Sequence, residues 1–74
     1  MNIKLKAKRV ERCLTQEELA EKLDINTATY NRKENGIVDF TLTEIQELMD
    51  ILDCEFNDIF LKKQVANKYE KENK

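Results

Sequence analysis

Apolar residues recur along most of the chain at intervals of three and four, the spacing of helices that bury one side. Leu5, Arg9, Arg12 and Cys13 share one such stripe with Val10 beside it, so residues 3–12 read as a short first helix with a basic outer face. Thr15 stands three residues before Glu18, a capping box in which each side chain satisfies an orphan backbone N–H of the other, and Leu14 and Leu19 supply its hydrophobic staple. A second helix over 16–23 then places Leu19, Ala20 and Leu23 on one face, with Ala20 small enough for another helix to cross closely. Asp24-Ile25-Asn26 breaks the period. Asp24 tolerates the left-handed backbone of a tight turn, and Asn26 suits the cap of a third helix over 27–34. In that helix Ala28 or Thr29 faces the core with Tyr30, leaving Thr27, Asn31, Arg32 and Lys33 outward, and Asn35-Gly36 ends it with a left-handed cap.

Phe40-Thr41 followed by Glu44-Ile45 repeats the staple and capping box, and opens a fourth helix over 42–53 with Leu42, Ile45, Leu48, Met49 and Leu52 inward. Phe56, Ile59, Phe60 and Leu61 make a brief fifth helix that closes the core. After Lys62 the chain turns polar, while Val65 and Tyr69 continue an i, i+4 series from Leu61, so 62–74 reads either as a helical extension or as a frayed tail. The expected organisation is one domain over 1–61 and a polar C-terminal tail over 62–74.

Composition narrows the function more than the fold. Seventy-four residues hold one core, and the absence of proline with a single glycine favours an all-α architecture. The sequence has no His and no Ser, which leaves Cys, Thr and carboxylates as the only plausible reactive groups, and neither Cys has a candidate imidazole base, so an enzyme is not expected. Cys13 and Cys54 lack the partners of a closed zinc site and are read as structural; no metal and no cofactor are expected. The N-terminus lacks the layout of a secretory signal and no apolar run approaches the roughly 20 residues that span a bilayer, so the expectation is a cytoplasmic protein without a membrane role. The formal charge of −2 argues against a nucleic-acid partner until its distribution is considered. Residues 1–12 carry Lys4, Lys6, Lys8, Arg9 and Arg12 against Glu11 alone, whereas 39–58 carry seven acids and no base. Such segregation makes a strong dipole with one basic side.

Two eight-residue helices joined by a three-residue turn are the helix-turn-helix arrangement, whose second helix enters the major groove. Thr15-Gln16-Glu17-Glu18-Leu19-Ala20-Glu21-Lys22-Leu23, then Ile25-Asn26, Thr29-Tyr30 and Glu34-Asn35-Gly36, resembles the Cro/C1-type, or XRE, family of phage-repressor-like regulators over about residues 3–61. The resemblance implies a five-helix, lambda-repressor-like DNA-binding fold, with the second helix over the phosphates and the third in the groove of operator DNA. It further implies a repressor of the kind found in bacteria, prophages and mobile elements, acting as a homodimer on a palindromic operator, with dimer contacts from residues 54–65. Two positions depart from the family pattern: Asp24 replaces the turn glycine, and Lys33 an apolar residue late in the third helix.

By position in that motif, Thr27, Ala28, Asn31 and Arg32 would contact bases. Arg32 suits guanine, Asn31 adenine, and Thr27 or Ala28 a thymine methyl. Gln16, Thr29, Lys33, Asn35, Lys6 and Lys8 would contact phosphates, Thr29 having helix 2 as its alternative. The resemblance makes Arg9 and Glu34 a structural ion pair. A competing reading is a protein-interaction module, such as an antitoxin or anti-repressor partner, working through the acidic fourth helix or the tail.

Overall fold

The computed structural model describes residues 2–60, and the expectations for Leu61 and for the tail after Lys62 lie outside the described residues. Five helices follow in order: α1 (Ile3–Glu11), α2 (Gln16–Leu23), α3 (Thr27–Glu34), α4 (Leu42–Leu52) and α5 (Phe56–Ile59), with no strand among the described residues. Both expected capping boxes form. Thr15 accepts from the Glu18 N–H at 3.0 Å while Glu18 accepts from the Thr15 N–H at 2.8 Å. Thr41 and Glu44 repeat the exchange at 3.1 and 2.9 Å, and Asn26 caps α3 through the Thr29 N–H at 2.7 Å. A helix of eight residues is too short to persist on propensity alone, so caps and packing decide where these helices begin and end.

The core joins Leu5 of α1, Leu19, Ala20 and Leu23 of α2, Tyr30 of α3, Ile45, Leu48 and Leu52 of α4, and Ile59 with Phe60 at the far end. An aromatic ladder runs through it. Tyr30 lies 6.0 Å from Phe40, Phe40 lies 5.7 Å from Phe60, and Phe60 lies 5.3 Å from Phe56 by ring centroids, linking the third helix to the fifth through the loop between α3 and α4.

Several expectations change. Leu42 is exposed because it is the first residue of α4, outside the stripe formed by Ile45, Leu48 and Leu52. Cys13 is exposed too: it has left the helix and sits at φ 62°, in the left-handed region that stops α1, and Val10 beside it also faces outward. Cys54 is half-buried against the core, where burial, aided by Asp58, pushes its thiol up.

The basic outer face expected of α1 is largely consumed by the fold. Lys4 donates to the Asn57 carbonyl, and Arg12 donates to the carbonyls of Leu52 at 2.9 Å and Asp53 at 3.3 Å. The Leu52 and Asp53 carbonyls close α4 and that of Asn57 lies in α5, so α1 and its cap grip both helices, with Arg12 placed at the negative end of the α4 dipole.

Candidate nucleic-acid interface

Helix α3 has two faces of different character. Thr27, Ala28, Asn31 and Arg32 are exposed, Thr29 and Asn35 are half-buried, and Tyr30, Lys33 and Glu34 are buried. Only one buried residue, Tyr30, is apolar, so α3 is fixed chiefly by hydrogen bonds and ion pairs.

The largest of these centres is Glu34, whose side chain is 2% exposed. Arg9 reaches it from α1, Nε to Oε2 at 2.9 Å and Nη2 to Oε1 at 3.3 Å, while the Tyr30 hydroxyl donates to Oε2 at 2.7 Å and Gln16 Nε2 donates to Oε1 at 2.8 Å. Arg9 also donates through Nη1 to the Leu14 carbonyl at 2.8 Å, so one guanidinium joins the ends of α1 and α3 to the start of α2. Burial pushes Glu34 upward, but the hydrogen bonds from Arg9, Gln16 and Tyr30 outweigh it and hold the carboxyl below its ordinary value of 4.5. Burial and the same carboxylate drive the Tyr30 hydroxyl far above the ordinary tyrosine range, so it serves only as a neutral donor here.

A second pair anchors the opposite side. Lys33 was expected to face outward and meet phosphate; instead it is buried, and Nζ lies 2.6 Å from Glu44 Oε1 and 5.9 Å from the centre of the Phe40 ring. The capping box explains why. The Thr41 N–H already holds Glu44 Oε1 in place at the start of α4, and the lysine stem spans the core edge to reach that preset acceptor. Lys33 is therefore withdrawn as a phosphate contact. Glu44 is half-buried, and the lysine and the Thr41 N–H outweigh that burial and lower its carboxyl below 4.5.

The C-terminus of α3 is closed by a residue that carries no sequence signal. Asn2, buried, donates its backbone N–H to the Glu34 carbonyl at 2.9 Å and its side-chain Nδ2 to the Lys33 carbonyl at 3.1 Å, satisfying two of the orphan acceptors at that helix end. Gly36 at φ 84° completes the stop, its N–H reaching Lys33 and that of Ile37 reaching Arg32.

Among the other residues singled out, Gln16, Asn31 and Asn35 come together. Asn35 Nδ2 donates to Asn31 Oδ1 at 3.1 Å, and Asn31 Nδ2 donates to Gln16 Oε1 at 3.1 Å. Lys6 is exposed on α1, whereas Lys8 makes a surface pair with Glu11 at 3.3 Å. The Arg32 side chain is exposed, while its carbonyl accepts from the Ile37 N–H at 2.9 Å. Sequence reasoning missed Asn2, the tie between Gln16 and Asn31, and the pairing of Lys33 with Glu44; for the last, the capping box at Thr41 was the available clue.

The described residues contain no cluster suited to a metal ion and no helix long and apolar enough to cross a membrane. No curated protein and no solved structure matches the chain. A family model does: residues 5–59 match the helix-turn-helix family, a span running from the core of α1 to the end of α5. This chain belongs to the Cro/C1-type, or XRE, helix-turn-helix family of DNA-binding regulators.

Proposed function

We propose that the protein is a transcriptional repressor that binds a palindromic operator as a homodimer, with α3 in the major groove. The observation that carries this reading is the division of α3: its inner face is locked by Arg9, Tyr30, Lys33 and Glu44, while Thr27, Ala28, Asn31 and Arg32 stand exposed together on the outer one. In this reading Arg32 pairs with guanine, Asn31 with adenine, and Thr27 and Ala28 meet thymine methyls. Phosphates meet Thr29, Asn35, Lys6, Lys8 and the first turn of α2 at Gln16, where backbone N–H groups and the positive end of the helix dipole favour an anion. Repression follows from occupancy of a site overlapping a promoter.

The test is binding to DNA flanking the gene and to a scrambled duplex of equal length, across a salt series, for wild type and Arg32→Ala. The expected result is sequence-selective binding that weakens steeply with salt, with Arg32→Ala losing discrimination at one base pair by about 1–3 kcal/mol. Equal, weak binding to both duplexes, unchanged by the substitution, overturns operator recognition.

A second reading, a protein-interaction module, draws on the groove lined by Met49, Asp50, Asp53, Cys54, Glu55 and Asp58. It has acids over a partly apolar floor and suits a basic partner better than DNA. It predicts that the isolated chain binds DNA only weakly.

A further inference from the structure

Building on the assignment of α3 as the DNA-reading helix, we propose that Gln16 of α2 is a positioning residue that sets which way the Asn31 carboxamide faces, and so sets the base that Asn31 accepts.

The direction of the amide chain is imposed from its buried end. Glu34 is held ionised by Arg9, and a carboxylate only accepts hydrogen bonds. Gln16 must therefore turn its NH2 toward Glu34 Oε1, 2.8 Å away, which turns its oxygen toward Asn31. Asn31 must then offer its own NH2 to Gln16 at 3.1 Å, leaving its oxygen toward Asn35, whose NH2 donates to it at 3.1 Å. Flipping Gln16 or Asn31 sets oxygen against oxygen at one contact and NH2 against NH2 at the other, and flipping Asn35 sets its oxygen against that of Asn31. A buried charge thus fixes the donor and acceptor order of side chains that end on the exposed face of α3.

The hydrogen-bonding inventory of Asn31 gives this order its consequence. A carboxamide has two N–H donors and two acceptor positions, and Gln16 and Asn35 occupy one of each. One donor and one acceptor remain, the pair that adenine requires at N7 and N6. Their orientation is set before DNA arrives, so little side-chain freedom is lost on binding. In this arrangement the Gln16 side chain serves Asn31, and only the backbone at the start of α2 serves a phosphate.

The experiment compares wild type, Gln16→Ala, Asn31→Ala and the double variant on a set of duplexes carrying each base at each operator position. Urea midpoints are measured alongside to confirm folding. Gln16→Ala is expected to lose about tenfold discrimination at the same base pair as Asn31→Ala, the double variant no more than either alone, and the slope of affinity against salt to stay unchanged. Uniform weakening on all duplexes with the salt slope reduced by about one would make Gln16 a phosphate contact and overturn the proposal. So would an Asn31→Ala variant that keeps its full base preference.

A second readout needs no DNA. The side-chain amide signals of Asn31 in the free protein should be ordered in wild type and lose order in Gln16→Ala. If they are indifferent to that substitution, the proposal fails whatever the duplexes show. If they respond while wild type has no sequence preference, the positioning contact stands and the DNA-reading assignment falls, taking the specificity claim with it.

Discussion

Helices α3 and α4 are neighbours in sequence but are attached to the molecule by different forces. In α4 the stripe Ile45, Leu48 and Leu52 is buried, so its position is set by apolar burial. In α3 only Tyr30 does comparable apolar work, while Arg9, Gln16, Tyr30 and Asn2 hold its C-terminal half and Glu44 holds Lys33. The difference follows from exposure. An eight-residue helix that keeps most of one face open has too few inward positions for an apolar stripe, and directional bonds fix its rotation as well as its depth. Rotation decides which side chains point outward.

Each helix has one anchor whose loss is costly. Glu34→Ala leaves Arg9 buried without its carboxylate and strands the Tyr30 hydroxyl, and is expected to cost about 3–5 kcal/mol in urea or thermal unfolding. Leu48→Ala, which opens a cavity under α4, is expected to cost about 2–5 kcal/mol. These are large fractions of the stability of a domain this size, about 4–11 kcal/mol. Salt acts on the two anchors differently only as far as charge is exposed. High salt should leave the Leu48→Ala penalty nearly unchanged and the Glu34→Ala penalty only slightly smaller, since the carboxylate is buried. A Glu34→Ala loss below about 1 kcal/mol would mean that α3 is held by the aromatic ladder instead.

Acid should act next on the ion pairs that hold α3. Glu34 and Glu44 both titrate below their ordinary 4.5, so as pH falls the unfolded chain takes up protons before the folded one. The stability they contribute is complete above 4.5 and is lost as pH drops through their folded values. The urea midpoint of wild type is expected to decline through that window, and the double variant Glu34→Gln, Glu44→Gln to start lower and decline less. Parallel acid limbs in the two proteins would remove the ion pairs as the reason for acid sensitivity. Lys33→Met, which keeps the stem and deletes the charge, is expected to cost about 1–2 kcal/mol, because Glu44 retains the Thr41 N–H and some solvent.

How much of this was legible in the sequence depends on range. Helix starts were readable because Thr15 with Glu18, Asn26, and Thr41 with Glu44 are local signals acting over three residues. The apolar stripes of α2 and α4 were readable by period, with Leu42 misplaced because a helix's first residue has not yet joined its stripe. Arg9 and Glu34 stand 2.9 Å apart as the family resemblance pairs them, although nothing in their spacing along the chain connects them. The partners of Asn2 and Arg12 lie far along the chain, at Lys33 and Leu52, and no period or cap reports such distances; for Lys33 the capping box that presets Glu44 was the one local clue. The polar attachment of α3 was thus the least readable part, for the same reason that it differs from α4: its bonds are long-range and made by residue types that usually face water.

The smallest expected effects concern how the helices stop. Helices α1, α2, α3 and α4 all end with a residue at positive φ: Cys13 at 62°, Asp24 at 63°, Gly36 at 84° and Asp53 at 53°. Around each, the next residue's N–H reaches back to close the last turn, Leu14 to Arg9, Ile25 to Ala20, Ile37 to Arg32 and Cys54 to Met49. The geometry is common to all four, yet glycine, which adopts it without steric cost, occupies only one. Gly36→Ala is therefore expected to cost about 1–2 kcal/mol, and Cys13→Gly to gain about 1 kcal/mol, since its exposed thiol gives up no packing. Asp24→Gly and Asp53→Gly should gain only about 0.5 kcal/mol each, because aspartate tolerates this backbone better and glycine loses more freedom on folding. A stabilised Cys13→Gly whose DNA selectivity is unchanged would place the end of α1 outside the reading surface. If instead Cys13→Gly is destabilised, the thiol side chain contributes to the α1–α2 turn more than its backbone costs, and the comparison among the four helix ends fails at its least favourable residue.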